Sequence, residues 1–126
     1  EGIVAVHDGV RPLVSRTLIR RTFEVAEETG AALPACPVTD SLRLLGEDDT
    51  NEAVDRARYR AVQTPQTFDL ERLHRAYEQP FSPQFTDDAS VYEAAGLGAI
   101  TLVEGEETNI KLTTPRDLLL ADLLLD

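Results

Sequence analysis

Short continuous apolar runs and longer mixed stretches take turns along this chain. Ile3, Val4, Ala5 and Val6 form one such run with charge directly after it, which predicts a strand of the parallel type, buried on both faces. Ser15 then stands where a helix cap belongs. Leu18, Ile19, Phe23, Val25 and Ala26 supply an apolar face and Gly30 a stop, so a helix is predicted from Ser15 to about Glu28. "AALPACPV", residues 31–38, reads as extended, with Pro34 and Pro37 confining it to a sheet edge or an irregular strand.

The stretch from Thr39 to Thr64 follows a looser pattern. "SLRLL", "GEDDTN" and "AVDRARYRAVQT" read as a strand, a polar turn and one or two further strands. They hold too few large apolar residues to form a core alone, and a two-stranded ribbon is marginal by itself. Such a ribbon is either an ordinary surface hairpin or one that a second subunit covers. Helices are predicted over 69–79, capped by Asp69, and over 87–96, stopped by Gly96. "AITLVEG", 99–105, predicts a strand and "NIKLT", 109–113, a shorter extended piece. Thr114, Pro115 and Asp117 then announce a last helix, whose Leu-rich body is expected to dock on the sheet. Strands alternating with helices predict an α/β layered domain.

Composition narrows the function. A net charge of −11 argues against binding nucleic acid through the whole surface. A negatively charged substrate can bind only where cations are gathered. No run of eighteen apolar residues is present, so no membrane-spanning helix is predicted. Cys36 stands alone, which rules out an internal disulfide framework and fits a reducing compartment. With no Met, and with a buried strand predicted two residues from its start, the chain is expected to be the later part of a larger domain.

Candidate chemistry clusters after the predicted strands, where ligands bind in open α/β sheets. Asp8 and Arg11 follow the first strand. A carboxylate there can hold a hard cation and an arginine can grip a phosphate, although the two can equally pair with each other and close a turn. Lys111 is the sole Lys among twelve cationic side chains. It alternates with Ile110 and Leu112, and its compact charge suits a phosphoryl oxygen that moves during reaction. Arg56, Arg58 and Arg60 would share one face of a strand, as a phosphate clamp or as a solvated surface. Thr64 and Gln66 flank Pro65. "FTDDAS", 85–90, offers a hydroxyl and two carboxylates ahead of a helix, for binding or for simple capping. Two His and one Cys are too few for a zinc site, and neither a nucleophile elbow nor a P-loop is present.

"VHDGVRPLVS", "PVTDSLR", "VDRARYRAVQTPQTF", "TDDAS" and "LVEGEETNIKLTTPRDL" occur in this order over nearly the whole chain. Together they resemble the 2-C-methyl-D-erythritol 4-phosphate cytidylyltransferase family of non-mevalonate isoprenoid precursor biosynthesis. The resemblance implies a Rossmann-like nucleotidyltransferase sandwich, a mostly parallel sheet flanked by helices, of which residues 1–126 would be the C-terminal part. It implies a protruding arm over 39–62 that embraces the partner of a homodimer. The implied activity is transfer of CMP from CTP to methylerythritol phosphate, with Mg²⁺ required and pyrophosphate released, in the cytoplasm or the stroma of a plastid. Asp8 would sit near metal and substrate, Arg11 and Arg56 would contact the methylerythritol phosphate, and Thr64 and Thr86 would hydrogen-bond substrate. Lys111 would steady charge at the α-phosphate. Ser41 would bind substrate where the family usually has Thr. The family's glycine-rich stretch, which wraps the CTP phosphates, has no match here, so these residues alone are expected to be inactive. The nearest alternatives are ribitol-5-phosphate cytidylyltransferase and a non-catalytic dimerisation and substrate-binding module.

Overall fold

The structure, a computed structural model, describes residues 2–125. It is a mixed sheet with helices on both faces. Strand β1 (Ile3–Val6) leads to helix α1 (Arg16–Thr29) and strand β2 (Ala31–Pro37). An excursion follows, made of β3 (Arg43–Leu45), β4 (Asn51–Ala53) and one 3-10 turn (Arg56–Arg58). The chain returns through β5 (Arg60–Val62) and β6 (Gln66–Asp69) to helices α2 (Leu70–Ala76) and α3 (Asp88–Ala94). Strand β7 (Thr101–Glu104) and helix α4 (Pro115–Leu124) complete it.

Strand β2 is the axis of the sheet. It pairs in parallel with β7 on one side, and antiparallel with both β6 and β5 on the other. Its prolines were expected to hold it at an edge or make it irregular; β2 is instead a central strand, whose antiparallel partner changes at Pro34. Ala35 stands opposite Val62 and Ala32 opposite Thr67. Ala31, Ala32, Leu33 and Ala35 are buried, and Pro34 is among the fully buried side chains. Proline is excluded from a central strand by its missing donor. Pro34 lies where β5 and β6 part and no donor is required, and its carbonyl accepts from the Gln63 N–H at 2.8 Å. The parallel share of the sheet is smaller than expected, because β1 pairs antiparallel with β6. Its apolar run feeds both helical layers, Ile3 on the α1 side and Val4 on the other, but the strand is only partly buried and Val6 is exposed, so the expected burial on both faces is not reached.

Alternate residues feed those two layers. Ala32 and Val103 pack with Leu18 and Ala26 of α1, together with Ile3, Val14 and Val25. Ala31, Leu33 and Phe68 face the other way, onto Leu73, Ala89 and Tyr92, with Val4 and Ile100 alongside. The Phe68 and Tyr92 rings lie 5.2 Å apart at their centroids. Thr22 and Thr67, polar residues buried beneath α1, satisfy each other: Thr67 Oγ1 donates to Thr22 Oγ1 at 3.0 Å, and Thr22 Oγ1 donates to the Ile19 carbonyl. Ser15 caps α1 as expected, accepting from the Leu18 N–H. Gly30 closes it at φ 97°, a left-handed conformation that only glycine adopts without strain.

Two expectations change. The arginines of "DRARYR" do not share a strand face, because Asp55 accepts from the Ala57 N–H and winds Arg56–Arg58 into a turn. The body of α4 does not dock on the sheet: Ala121 is its buried residue, while Leu119 and Leu123 are 69% and 75% exposed. Its leucines run round the whole helix, so no single face is selected for packing. Its start is built as expected, with a reciprocal box between Thr114 and Asp117. The piece 109–113 is irregular rather than a strand.

Replacing Phe68 by Ala should cost about 3–5 kcal/mol, since the ring is fully buried against Leu33, Leu73 and Tyr92; urea unfolding reads this out directly. The backbone N–H of Thr113, with help from the Thr113 and Thr114 side chains and the Thr114 N–H, holds the Asp117 carboxyl below its usual 3.8. A lowered folded value means that the cap's contribution is complete above 3.8 and is lost as pH falls through the lowered value. Protection of amides in the first turn of α4, taken relative to their intrinsic exchange rate at each pH, should therefore fall on acidification, and Asp117→Ala should abolish that fall.

Candidate functional site

A cleft of about 360 Å³ opens at the ends of β1 and β5, lined by Val6, Asp8, Arg11, Val62, Gln63, Thr64, Gln66, Thr86, Asp87, Asp88 and Lys111. Five of the seven residues singled out from the sequence meet here: Asp8, Arg11, Thr64, Thr86 and Lys111. Arg56 and Ser41 do not. Both lie on the exposed excursion, where the Arg56 guanidinium donates to the Thr39 carbonyl at 2.7 Å.

The loop after β1 supplies the first wall. Asp8 and Arg11 do pair, Nε to Oδ2 at 3.2 Å, and the Arg11 N–H donates to the Asp8 carbonyl at 3.0 Å. Closing a turn and lining a cleft are thus compatible. Arg11 is further committed, because Nη1 donates to the Asn109 carbonyl at 2.7 Å. Its side chain is 13% exposed, so its free guanidinium edge is Nη2. Asp8 is 37% exposed and keeps Oδ1 outside the ion pair.

Thr64 ties this loop to the floor. Its hydroxyl accepts from the Asp8 N–H at 3.0 Å and lies 2.9 Å from His7 Nδ1. The other His7 nitrogen, Nε2, faces the Arg11 carbonyl at 2.9 Å and must donate to it, so in neutral His7 it is the Thr64 hydroxyl that donates to Nδ1. The Thr64–Pro65 peptide is cis.

The acidic wall is held by capping. Asp87 accepts from the Ser90 N–H at 2.8 Å through Oδ1 and from Gln66 Nε2 at 3.0 Å through Oδ2. Gln66 is buried and its Oε1 accepts from the Ala89 N–H. The Tyr77 hydroxyl donates to Asp88 Oδ1, and burial together with this bond pushes Tyr77 up to about 12. Both carboxylates therefore hold the "TDDAS" turn in place, and Thr86 is carried with it to the rim.

Lys111 arrives on the irregular segment after β7, anchored by the Leu112 N–H donating to the Val10 carbonyl at 2.8 Å. Gln63 and Asn109 were not picked out by their spacing, and Gln66 was noted only beside Pro65. They are buried polar residues on or beside the cleft. The signal that could have found them is the density of Gln and Asn beside the two proline-bearing or lysine-bearing loops.

Across residues 1–126 the chain matches the family model for 2-C-methyl-D-erythritol 4-phosphate cytidylyltransferase. It is 56% identical over 123 residues to the enzyme of that name from Porphyromonas gingivalis, covering 98% of this chain and 55% of that protein. With the Bacillus licheniformis enzyme of the same name it shares 42% over 128 residues, 100% of this chain and 55% of that one. Its fold is similar to the Thermus thermophilus enzyme at a TM-score of 0.84 and 40% identity, covering 98% of this chain and 62% of that chain. The 4-diphosphocytidyl-2C-methyl-D-erythritol synthase of Anaerococcus prevotii gives 0.88 at 30% identity, with 99% and 59% covered. The chain thus spans about 55% of the length of the first two relatives. Matched along its full length, and bringing the residues of five separate sequence stretches to one fold of the same shape, the chain belongs to the 2-C-methyl-D-erythritol 4-phosphate cytidylyltransferase family.

Proposed function

We propose that this chain supplies the polyol-phosphate side of a cytidylyltransferase, which moves CMP from CTP onto methylerythritol phosphate and releases pyrophosphate. The observation that carries this reading is the meeting of Asp8, Arg11, Thr64, Thr86 and Lys111 around one cleft. In the reaction, a phosphate oxygen of the polyol attacks the α-phosphorus of CTP as the bond to pyrophosphate breaks. Two anions must approach, so fixed positive charge near the α-phosphate lowers the barrier most. Lys111, on the cleft lining, would give it, and Arg11 Nη2 with the Thr64 and Thr86 hydroxyls would hold the polyol phosphate.

The lining carries two cations, Arg11 and Lys111, against three carboxylates, Asp8, Asp87 and Asp88. Two phosphorylated substrates need more positive charge than that. Mg²⁺ fits this deficit: it binds through one or two carboxylates and substrate phosphates and demands no protein cage. Asp8, with Oδ1 outside its ion pair, would hold it, and among the described residues no three His, Cys, Asp or Glu side chains gather into a cage. When bound, the ion would neutralise phosphate charge during transfer.

Arg56 is the second missing cation. It stands on the 39–62 arm, whose strands β3 and β4 pair with each other and are exposed throughout. In a homodimer joined by these arms, Arg56 would serve the site of the partner. The free thiol Cys36 suits a cytoplasmic enzyme of this kind.

In the full-length protein, Lys111→Ala should lower the rate of cytidylyl transfer by about 10²–10³, some 3–4 kcal/mol, as for loss of one preorganised donor to a transition-state oxyanion. A rate within a few-fold of the parent removes Lys111 from the mechanism, and assay with ribitol 5-phosphate beside methylerythritol phosphate fixes the acceptor. Arg56→Ala and Lys111→Ala subunits, each inactive alone, should regain about a quarter of parental activity when mixed and re-equilibrated, since half the dimers then hold one intact site. No regain would place Arg56 outside any shared site.

A further inference from the structure

Lys111 sits on a segment with no strand pairing, tied on one side by the Leu112 N–H to the Val10 carbonyl, and a flexible four-carbon side chain can be a preorganised donor only where its backbone is fixed. The structure supplies a restraint two residues away. Asn109 is fully buried, 0% exposed, in a segment that otherwise runs over the surface. Its Nδ2 donates to the Thr64 carbonyl at 2.8 Å and to Gln63 Oε1 at 3.2 Å. The Thr64 carbonyl can only accept, which fixes the orientation of the amide. Its own carbonyl accepts Arg11 Nη1, and its N–H donates to the Glu106 carbonyl.

Gln63 completes the clamp from below. Its Nε2 donates to the Glu106 carbonyl at 2.7 Å, and its Oε1 accepts from the Glu106 N–H at 3.2 Å. Glu106 in turn accepts from Ser15 Oγ, the cap of α1. One residue therefore joins the Lys111 segment, the Thr64 floor and the Arg11 wall. Asn109 Oδ1 is left buried with no partner among the described residues. An orphaned buried acceptor is costly, and an apolar side chain of similar size would avoid it. What the amide offers in return is its two donated bonds, and both end on residues that line the cleft.

We propose that Asn109 is the positioning residue of this site: it registers Lys111 against Thr64 and Arg11, so that the amine is held where charge develops. Its kinetic consequence rests on the transferase reading above, while its structural consequence does not.

The test uses the full-length protein. Asn109→Asp keeps the size of the side chain but turns a carboxylate oxygen toward the Thr64 carbonyl. The turnover number should fall about 100-fold, the scale of an ångström of misplacement. In a Lys111→Ala background the same change should cost about tenfold or less, because the group being aimed has gone. Amides of residues 106–112 should exchange faster while those of α1 do not. If Asn109→Asp does not fold, Asn109→Ser, which keeps one donor, should give a smaller loss with the same dependence on Lys111. An equal loss in both backgrounds, or a folded variant within about twofold of the parent, overturns the proposal. If the parent itself transfers no cytidylyl group, the transferase reading fails, and exchange alone decides: faster exchange over 106–112 upholds the clamp, and unchanged exchange overturns it.

Discussion

The site depends on a mismatch in hydrogen-bond register along β2. Ala35 pairs with Val62 and Ala32 with Thr67, so two residues of β2 face four residues of the returning chain, Gln63 to Gln66. The surplus cannot lie flat in the ladder. It bows outward at the ends of β1 and β5, and its polar groups must find partners elsewhere. The Gln63 N–H takes the Pro34 carbonyl, the Thr64 carbonyl takes Asn109, and the Thr64 hydroxyl takes the Asp8 N–H. Each wall of the cleft is thus attached to the same short bow: the Asp8–Arg11 loop through Thr64, the "TDDAS" turn through Gln66, the Lys111 segment through Gln63 and Thr64. Pro34 is tolerated at the centre of the sheet for the same reason that the bow exists.

Much of this was legible from residue order. The caps at Ser15, Asp69 and Thr114 are local signals, and each appears where its sequence placed it; Asp87, read inside the helix 87–96, is the cap of α3. The two-layer arrangement followed from the alternation of element types. Strand direction and rank were not legible. Ile3–Val6 reads as a parallel strand because packing toward two helical layers produces a continuous apolar run whichever way the neighbour points, and the proline rule that sent residues 31–38 to an edge or an irregular strand presumes an unbroken ladder. Asn109 was hidden for a related reason. A buried amide has no periodic signature, and its role is defined by partners 45 and 98 residues away.

The arm and α4 fail the same test of self-sufficiency from opposite directions. The arm has few large apolar residues, and Leu44 and Leu45 among them stand exposed on its hairpin; α4 has abundant apolar surface and buries Ala121 alone among its described residues. An isolated two-stranded ribbon is marginal in water, and a helix apolar on all sides is stable only when surrounded. Neither element is buried among the described residues, and the arm carries Arg56, which lies outside the cleft.

Charge sharpens that point. A protein of net charge −11 must bind anions by local arrangement, since its far field repels them. Within the cleft the two carboxylates of "TDDAS" are occupied by an N–H, an amide and a phenol, which lowers their cost but leaves their charge in place. The third, Asp8, faces Arg11. Of the two cations in the lining, one is thereby committed to a carboxylate and the other, Lys111, has no such partner among the described residues. On the proposed transferase reading, a lone uncommitted ammonium would not offset two phosphorylated reactants at rest, but it would need to favour only the extra charge that develops as they meet. For that task its position matters more than the total charge around it. A site that lacks bulk positive charge must depend on the accuracy with which such a cation is held, and that accuracy is what the buried amide beneath the Lys111 segment provides.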